Sequence, residues 1–146
     1  MKSGLSPRLI QATPQDLPSI QALLASVQGD DRDLRPQEFL VLRGGRGRLV
    51  GCARLKRHSD SLELASLAVV EPLRGGGLGS ALVEALLARA RGEAVYLVCR
   101  AETAPFFRRF GFLEVPAGEA PASLQEKYGF CSDTVPESLR VMRKGL

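Results

Sequence analysis

Tryptophan is absent from this chain of 146 residues, histidine occurs once and cysteine three times. Cys52, Cys99 and Cys131 are odd in number and far apart. With a single histidine beside them, no spacing suits a zinc ion, and no metal is expected. Two tyrosines and six phenylalanines are too few to stack successive bases, and the lysines and arginines are spread along the chain rather than gathered on one helix. Nucleic acid is therefore not an expected partner, although the net charge of +4 favours small anions. No apolar run reaches the length of a membrane span, and Met1-Lys2-Ser3-Gly4 opens without a hydrophobic signal core. No membrane partner is expected, and the expected compartment is the cytoplasm. An apolar share of 45% and a charged share of 25% are those of an ordinary globule. Residues 1–146 suit one domain with a core of its own.

Glycine is not scarce, and its densest run lies in the stretch around which the chain is organised, from Leu62 to Arg91. Leu62 to Val70 is apolar except for Glu63 and Ser66 and reads as a strand that stops at Glu71-Pro72, where the proline ring removes a backbone donor. Leu78, Leu82, Leu86 and Ala90 then recur every four residues, with Val83 and Leu87 widening the stripe, so a helix with one apolar face follows. Between strand and helix stands Arg74-Gly75-Gly76-Gly77-Leu78-Gly79. Glycines at a helix start cost backbone entropy, and a closely approaching ligand is one reason to keep them. Bare backbone turns several N–H groups toward one point, the helix dipole adds partial positive charge, and Arg74 adds a whole one. Together they describe a site for a phosphate or pyrophosphate; a flexible turn is the alternative.

Spacing narrows the ligand. A P-loop has Lys-Ser/Thr after its last glycine, whereas Gly79 is followed by Ser80-Ala81. The dinucleotide fingerprint finds Gly75 and Gly77 but meets Ser80 where its third glycine belongs. The pattern that fits is Arg-x-x-Gly-x-Gly after Leu67-Ala68-Val69. In this the sequence resembles the GNAT superfamily of acyl-CoA-dependent N-acetyltransferases, with a second point of similarity in Phe106-Phe107-Arg108-Arg109-Phe110-Gly111-Phe112. The resemblance implies acetyl-CoA as cosubstrate. It implies that backbone groups of Leu67, Ala68 and Val69 hold the pantetheine and the acetyl carbonyl. Arg74 and the amides of Gly75, Gly76, Gly77, Leu78, Gly79 and Ser80 would hold the pyrophosphate.

Around this centre the chain reads as alternating short strands and helices. Arg8 to Gln11 is a strand. Thr13-Pro14-Gln15-Asp16 reads as a helix cap, and Leu17, Ile20, Leu23, Leu24 and Val27 supply the helix stripe that Gly29 stops. Gly29 to Glu38 is a charged loop that, by resemblance, faces the acceptor. Phe39 to Arg43 and Leu49 to Leu55 are strands joined by Gly44-Gly45-Arg46-Gly47, with Arg43, Arg46 and Arg48 read as solubility features. Val95 to Cys99 is a strand, Ala104 to Phe110 a short helix, Ser123 to Lys127 another, and Leu139 to Lys144 a last strand. The expected class is α/β (α+β), a GNAT fold with a mixed, mostly antiparallel central sheet of six to seven strands and helices on both faces.

Acetyl transfer to an amine needs a fixed thioester, an amine stripped of a proton and a donor for the departing thiolate. Relatives present a glutamate from the strand that here carries Glu63, which makes Glu63 the expected general base; a solvent-facing acid is the alternative. The tyrosine that many relatives use to protonate the thiolate is replaced by Phe107, which leaves Tyr96, Tyr128 and Cys99 as neutral donors. The asparagine that often follows the fifth strand is replaced by Arg100. Glu63 to Val69 and the stretch from Thr103 to Phe112 look like amino-acid N-acetyltransferases of the N-acetylglutamate synthase type. Glu119 to Ala122, Phe130-Cys131-Ser132 and Val141 to Lys144 are similar to small stand-alone members linked with arsenic resistance. An amino-acid acceptor would bring a carboxylate, for which Arg100, Arg54 or Arg140 offers a fork. The expected function is acetylation of a small-molecule amine, an amino acid or analogue. A protein N-terminal or lysine acetyltransferase and a non-catalytic acyl-CoA-binding module are the alternatives. The last strand is a natural place for pairing into a homodimer.

Overall fold

A computed structural model describes residues 7–129 and 136–145. Cys131 and the Phe130-Cys131-Ser132 stretch lie outside them, as does Met1-Lys2-Ser3-Gly4. The strands are β1 (Arg8–Gln11), β2 (Phe39–Arg43), β3 (Leu49–Arg57), β4 (Leu62–Val69), β5 (Val95–Arg100), β6 (Leu113–Val115) and β7 (Leu139–Lys144). The helices are α1 (Leu17–Ser26), α2 (Leu78–Ala90), α3 (Ala104–Arg108) and α4 (Ala122–Tyr128). The seven strands follow the order β1-β2-β3-β4-β5-β7-β6. β1 with β2, β2 with β3, β5 with β7 and β6 with β7 are antiparallel, and β4 with β5 is parallel. The sheet is thus mixed and mostly antiparallel, as the strand pattern predicts. Among the described residues no helix is long and apolar enough to cross a membrane.

The chain divides into two compact units. The first comprises the described part of Met1–Leu55 together with Ala65–Leu86. Its core gathers Ala12, Ile20, Leu24, Phe39, Val41, Cys52 and Ala68, with Leu17, Leu23 and Val27 packed against it. The helix stripe read from the sequence is therefore the face that α1 buries. Thr13 and Asp16 cap one another reciprocally: the Thr13 amide donates to Asp16 Oδ2 at 2.8 Å. Asp16 is itself buried and takes the Arg43 guanidinium on its other oxygen. Arg43, read as a solubility feature, is instead the counter-ion of a carboxylate that has left water. A buried carboxylate needs such a partner.

The second unit comprises Lys56–Leu64 and the described residues from Leu87 onward. β4 and β5 meet in it with Leu62 beside Val95 and Glu63 beside Tyr96. The short strand β6 extends the sheet along β7, with Leu113 opposite Arg143. α3 ends two residues before the expected Phe110. The amides of Arg109, Phe110 and Gly111 turn to carbonyls three residues back, which tightens the last turn before Gly111 leaves it. Phe107 is buried and meets Phe106 edge-on at 5.0 Å and Phe112 at 6.0 Å, so this aromatic segment is core.

Candidate functional site

The turn between β4 and α2 is exposed from Glu71 through Gly77. Gly75 and Gly77 adopt φ of +86° and +85°, a region L-residues rarely enter, and a Cβ on either would meet nothing within 4 Å. These glycines are therefore required by backbone shape, not by crowding. The Gly77 carbonyl accepts the first helical bond, from the Ala81 amide at 3.0 Å. Among the described residues, the amides from Gly75 to Ser80 donate to no other backbone carbonyl. A row of unspent N–H groups at the positive end of a helix of 13 residues is an arrangement able to bind an anion. Arg74 stands beside it, exposed, with its Nε donating to the Val69 carbonyl at 2.9 Å.

β4 is not regular. Ser66 has a φ of +58°, and its hydroxyl and carbonyl are both engaged. Ser66 Oγ donates to the Asp30 carbonyl at 2.6 Å and accepts the Arg54 Nε at 3.0 Å, while Cys52 Sγ donates to the Ser66 carbonyl at 3.4 Å. The Cys52 thiol is pushed up to about 12 by burial, which the nearby Arg54 charge offsets only in part.

Arg54 is fully buried. Besides Ser66, it donates to the carbonyls of Asp33 and Arg32 at 2.9 and 2.7 Å and to the carboxylates of Asp30 and Glu38 at 3.2 and 3.4 Å, and it lies over the Phe39 ring. A guanidinium has five N–H groups, and these contacts engage all of them. The structure thus places Arg54 as the anchor of the charged loop from Gly29 to Glu38, not as an open fork awaiting a ligand. Arg100 is the reverse, exposed at the end of β5. Arg140 is held by Glu114 at 3.3 Å.

In the second unit, Glu63 is fully buried, so the solvent-facing alternative falls away. Its Oε1 receives His58 Nε2 at 2.7 Å and Lys127 Nζ at 2.8 Å, and its Oε2 receives the Tyr128 hydroxyl at 2.5 Å. Burying this carboxylate without such partners would cost several kcal/mol. His58 comes from the turn after β3, and Lys127 and Tyr128 come from the end of α4. That helix is anchored by Asp60, whose carboxylate accepts the Ser123 amide at 3.1 Å and also the Ser123 hydroxyl. The Ser123 hydroxyl bond is the main reason the Asp60 carboxyl is held below the usual carboxylate range.

Sequence reasoning reached Glu63 but not its setting. Tyr128 stood among three candidate donors with no spacing to favour it, and Lys127 and His58 carried no expectation. His58 was the more accessible, since a short turn between adjacent strands places residues on either side of it together. Lys127 and Tyr128 arrive from a separate helix, and no local pattern announces that contact.

Residues 9–112 match the family model described as Acetyltransferase (GNAT) family. An amino-acid acetyltransferase of Azotobacter vinelandii is 38% identical over 88 residues, covering 58% of this chain and 20% of its own length. The chain thus spans about a fifth of the curated relatives it matches. Among solved structures, N-acetylglutamate synthase from Neisseria gonorrhoeae complexed with coenzyme A and L-arginine superposes with a TM-score of 0.77 at 26% identity, over 97% of this chain and 33% of that one. Rv2747 from Mycobacterium tuberculosis, in complex with CoA and NLQ, superposes with a TM-score of 0.75 at 27% identity, over 96% of this chain and 99% of that one.

Proposed function

Because the chain belongs to the GNAT acetyltransferase family, we propose that it transfers an acetyl group from acetyl-CoA to the amine of a small molecule, an amino acid or close analogue. The observation that carries this reading is the pairing of two features on one strand: β4 bears the buried, triply bonded Glu63 carboxylate, and it runs on into the glycine turn with its unspent amides. Coenzyme A in the two superposed structures supports the cofactor. The synthase and the curated amino-acid acetyltransferases support the acceptor class.

In this reading Arg74 and the amides of Gly75, Gly76, Gly77, Leu78, Gly79 and Ser80 bind the pyrophosphate. The backbone of Leu67, Ala68 and Val69 fixes the pantetheine and the thioester carbonyl. Holding the thioester beside the amine supplies most of the rate through proximity. Glu63 provides the negative charge toward which the amine's proton moves; the Tyr128 hydroxyl is spent on Glu63, so the departing thiolate takes its proton from water or from the amine itself. Arg100, with its open fork, is assigned to an acceptor carboxylate, and Arg54 to holding the loop from Gly29 to Glu38. We assign the whole chain, residues 1–146, to one catalytic domain acting in the cytoplasm; the last strand, β7, pairs with β5 on one side and β6 on the other, so it is not the open edge that the expected homodimer pairing needs.

The test is release of free thiol from acetyl-CoA against a panel of amino acids, polyamines, aminoglycosides and short peptides, with Glu63→Gln as the paired variant. Turnover of one amino-acid class, lost in Glu63→Gln while acetyl-CoA binding persists, is expected. Turnover of peptides alone would move the acceptor to a protein terminus or lysine. Binding of acetyl-CoA without turnover of any amine would make the chain an acyl-CoA-binding module.

A further inference from the structure

We propose that the amine's proton is taken up by His58, with Glu63 acting as the group that orients this ring and stabilises its charged form. The proposal rests on the acetyl-transfer reading above and says where the proton goes within it. An ionised carboxylate accepts hydrogen bonds and cannot donate them. The 2.7 Å contact between His58 Nε2 and Glu63 Oε1 therefore requires the hydrogen to sit on Nε2. In the neutral ring the lone pair is then on Nδ1, and among the described residues Nδ1 meets no other hydrogen-bonding side chain. A carboxylate that fixes the tautomer at one nitrogen and leaves the other to accept a proton is the general arrangement of an oriented imidazole base.

Neither oxygen of Glu63 is open toward the amine. Its Oε1 carries the Lys127 ammonium as well as His58, and its Oε2 carries the Tyr128 hydroxyl, so each oxygen is already committed to a donor. The other charges nearby are turned elsewhere: Asp60 toward Ser61 and Ser123, and Arg57 toward Glu93 at 2.7 Å. His58 is 11% exposed, which gives its ring a route to water. The protons balance as follows. One of the three on the acceptor ammonium passes, directly or through a water, to His58 Nδ1 and from the imidazolium to solvent. After the free amine attacks the thioester carbonyl, the tetrahedral adduct expels the CoA thiolate. A second proton leaves with CoA as its thiol, and the third stays on the amide nitrogen.

The experiment uses the full chain, acetyl-CoA and the amino acid turned over fastest in the panel. His58→Gln retains a side-chain N–H for Glu63 but cannot accept a proton. The expected result is a fall in kcat of about a hundredfold or more, little change in KM for acetyl-CoA, loss of the acidic limb of the kcat profile, and partial rescue of His58→Ala by added imidazole. Wild-type kcat and an unchanged pH profile in His58→Gln would overturn the proposal. A second readout does not depend on turnover. Because the chain has one histidine, its ring nitrogens give one set of 15N signals, which should report the Nε2–H tautomer. The Nδ1–H tautomer would overturn the proposal even in an active enzyme. Absence of turnover by the wild type with every amine would remove the acetyl-transfer reading, and the role of His58 with it.

Discussion

Replacing Arg54 by methionine keeps most of the side chain's volume and removes its charge and every donor. The contacts left behind set the magnitude. The carboxylates of Asp30 and Glu38, only 10% and 15% exposed, lose a cation at 3.2 and 3.4 Å. The carbonyls of Asp33 and Arg32 and the Ser66 hydroxyl each lose a donor. Removing one member of a buried ionic cluster costs about 3–5 kcal/mol, because the remaining groups stay buried with part of their compensation gone. In a chain of this length that is a fall in Tm of roughly 10–15 °C. Urea unfolding of Arg54→Met against wild type measures it. The triple variant Arg54→Met, Asp30→Asn, Glu38→Gln separates charge from packing: neutral amides in place of the two carboxylates should recover at least about a third of the loss. A loss below about 1 kcal/mol in Arg54→Met would refute the reasoning, since the loop from Gly29 to Glu38 would then hold its shape without the guanidinium.

Gly77→Val should weaken acetyl-CoA binding at least tenfold by calorimetry while lowering stability by only about 1–3 kcal/mol, because the strain is confined to one exposed residue. Unchanged affinity would show that the turn does not hold the cofactor. Cys52 should escape iodoacetamide at pH 8 in the folded protein, its thiol being pushed up to about 12, and react once urea is added; peptide mass spectrometry reads the difference. The Asp60 carboxyl titrates lower folded than unfolded, so its contribution to stability is present above the ordinary value of 3.8 and disappears as pH falls through the lower folded value. Urea midpoints at pH 6 and pH 3 should therefore converge between wild type and Asp60→Asn at the acid end, and parallel curves would show that Asp60 is not linked to folding.

Periodicity reached the fold because the relevant signals are local. The four-residue recurrence from Leu78 to Ala90 and the stripe on α1 are the faces these helices bury, and Pro72 and Gly29 mark ends close to where the chain turns. The short strand β6 was less legible, since three residues with an exposed leucine at 67% carry no alternation to detect. The glycine turn was legible as the junction of β4 and α2 because strand end, glycines and helix start stand within a few residues of one another. The surroundings of Glu63 were not. Whether a strand residue faces core or solvent depends on what packs over it, and here that is α4, held by Asp60 through Ser123. Arg54 misled for a related reason: an arginine in a strand has the same appearance in sequence whether its fork is open or fully spent on a neighbouring loop.

Ser66 has a consequence for how such a chain can diversify. A residue at φ +58° in the middle of β4 interrupts the pleat, so side-chain alternation before it does not dictate alternation after it. Leu62 to Ala65 present side chains, among them Glu63, whereas Leu67 to Val69 are assigned to work through their backbone, which any residue supplies. Substitutions in the first half can then be selected for a new acceptor without altering the register of the second. The strand behaves as two segments joined at a serine, each able to change without dictating the pleat of the other.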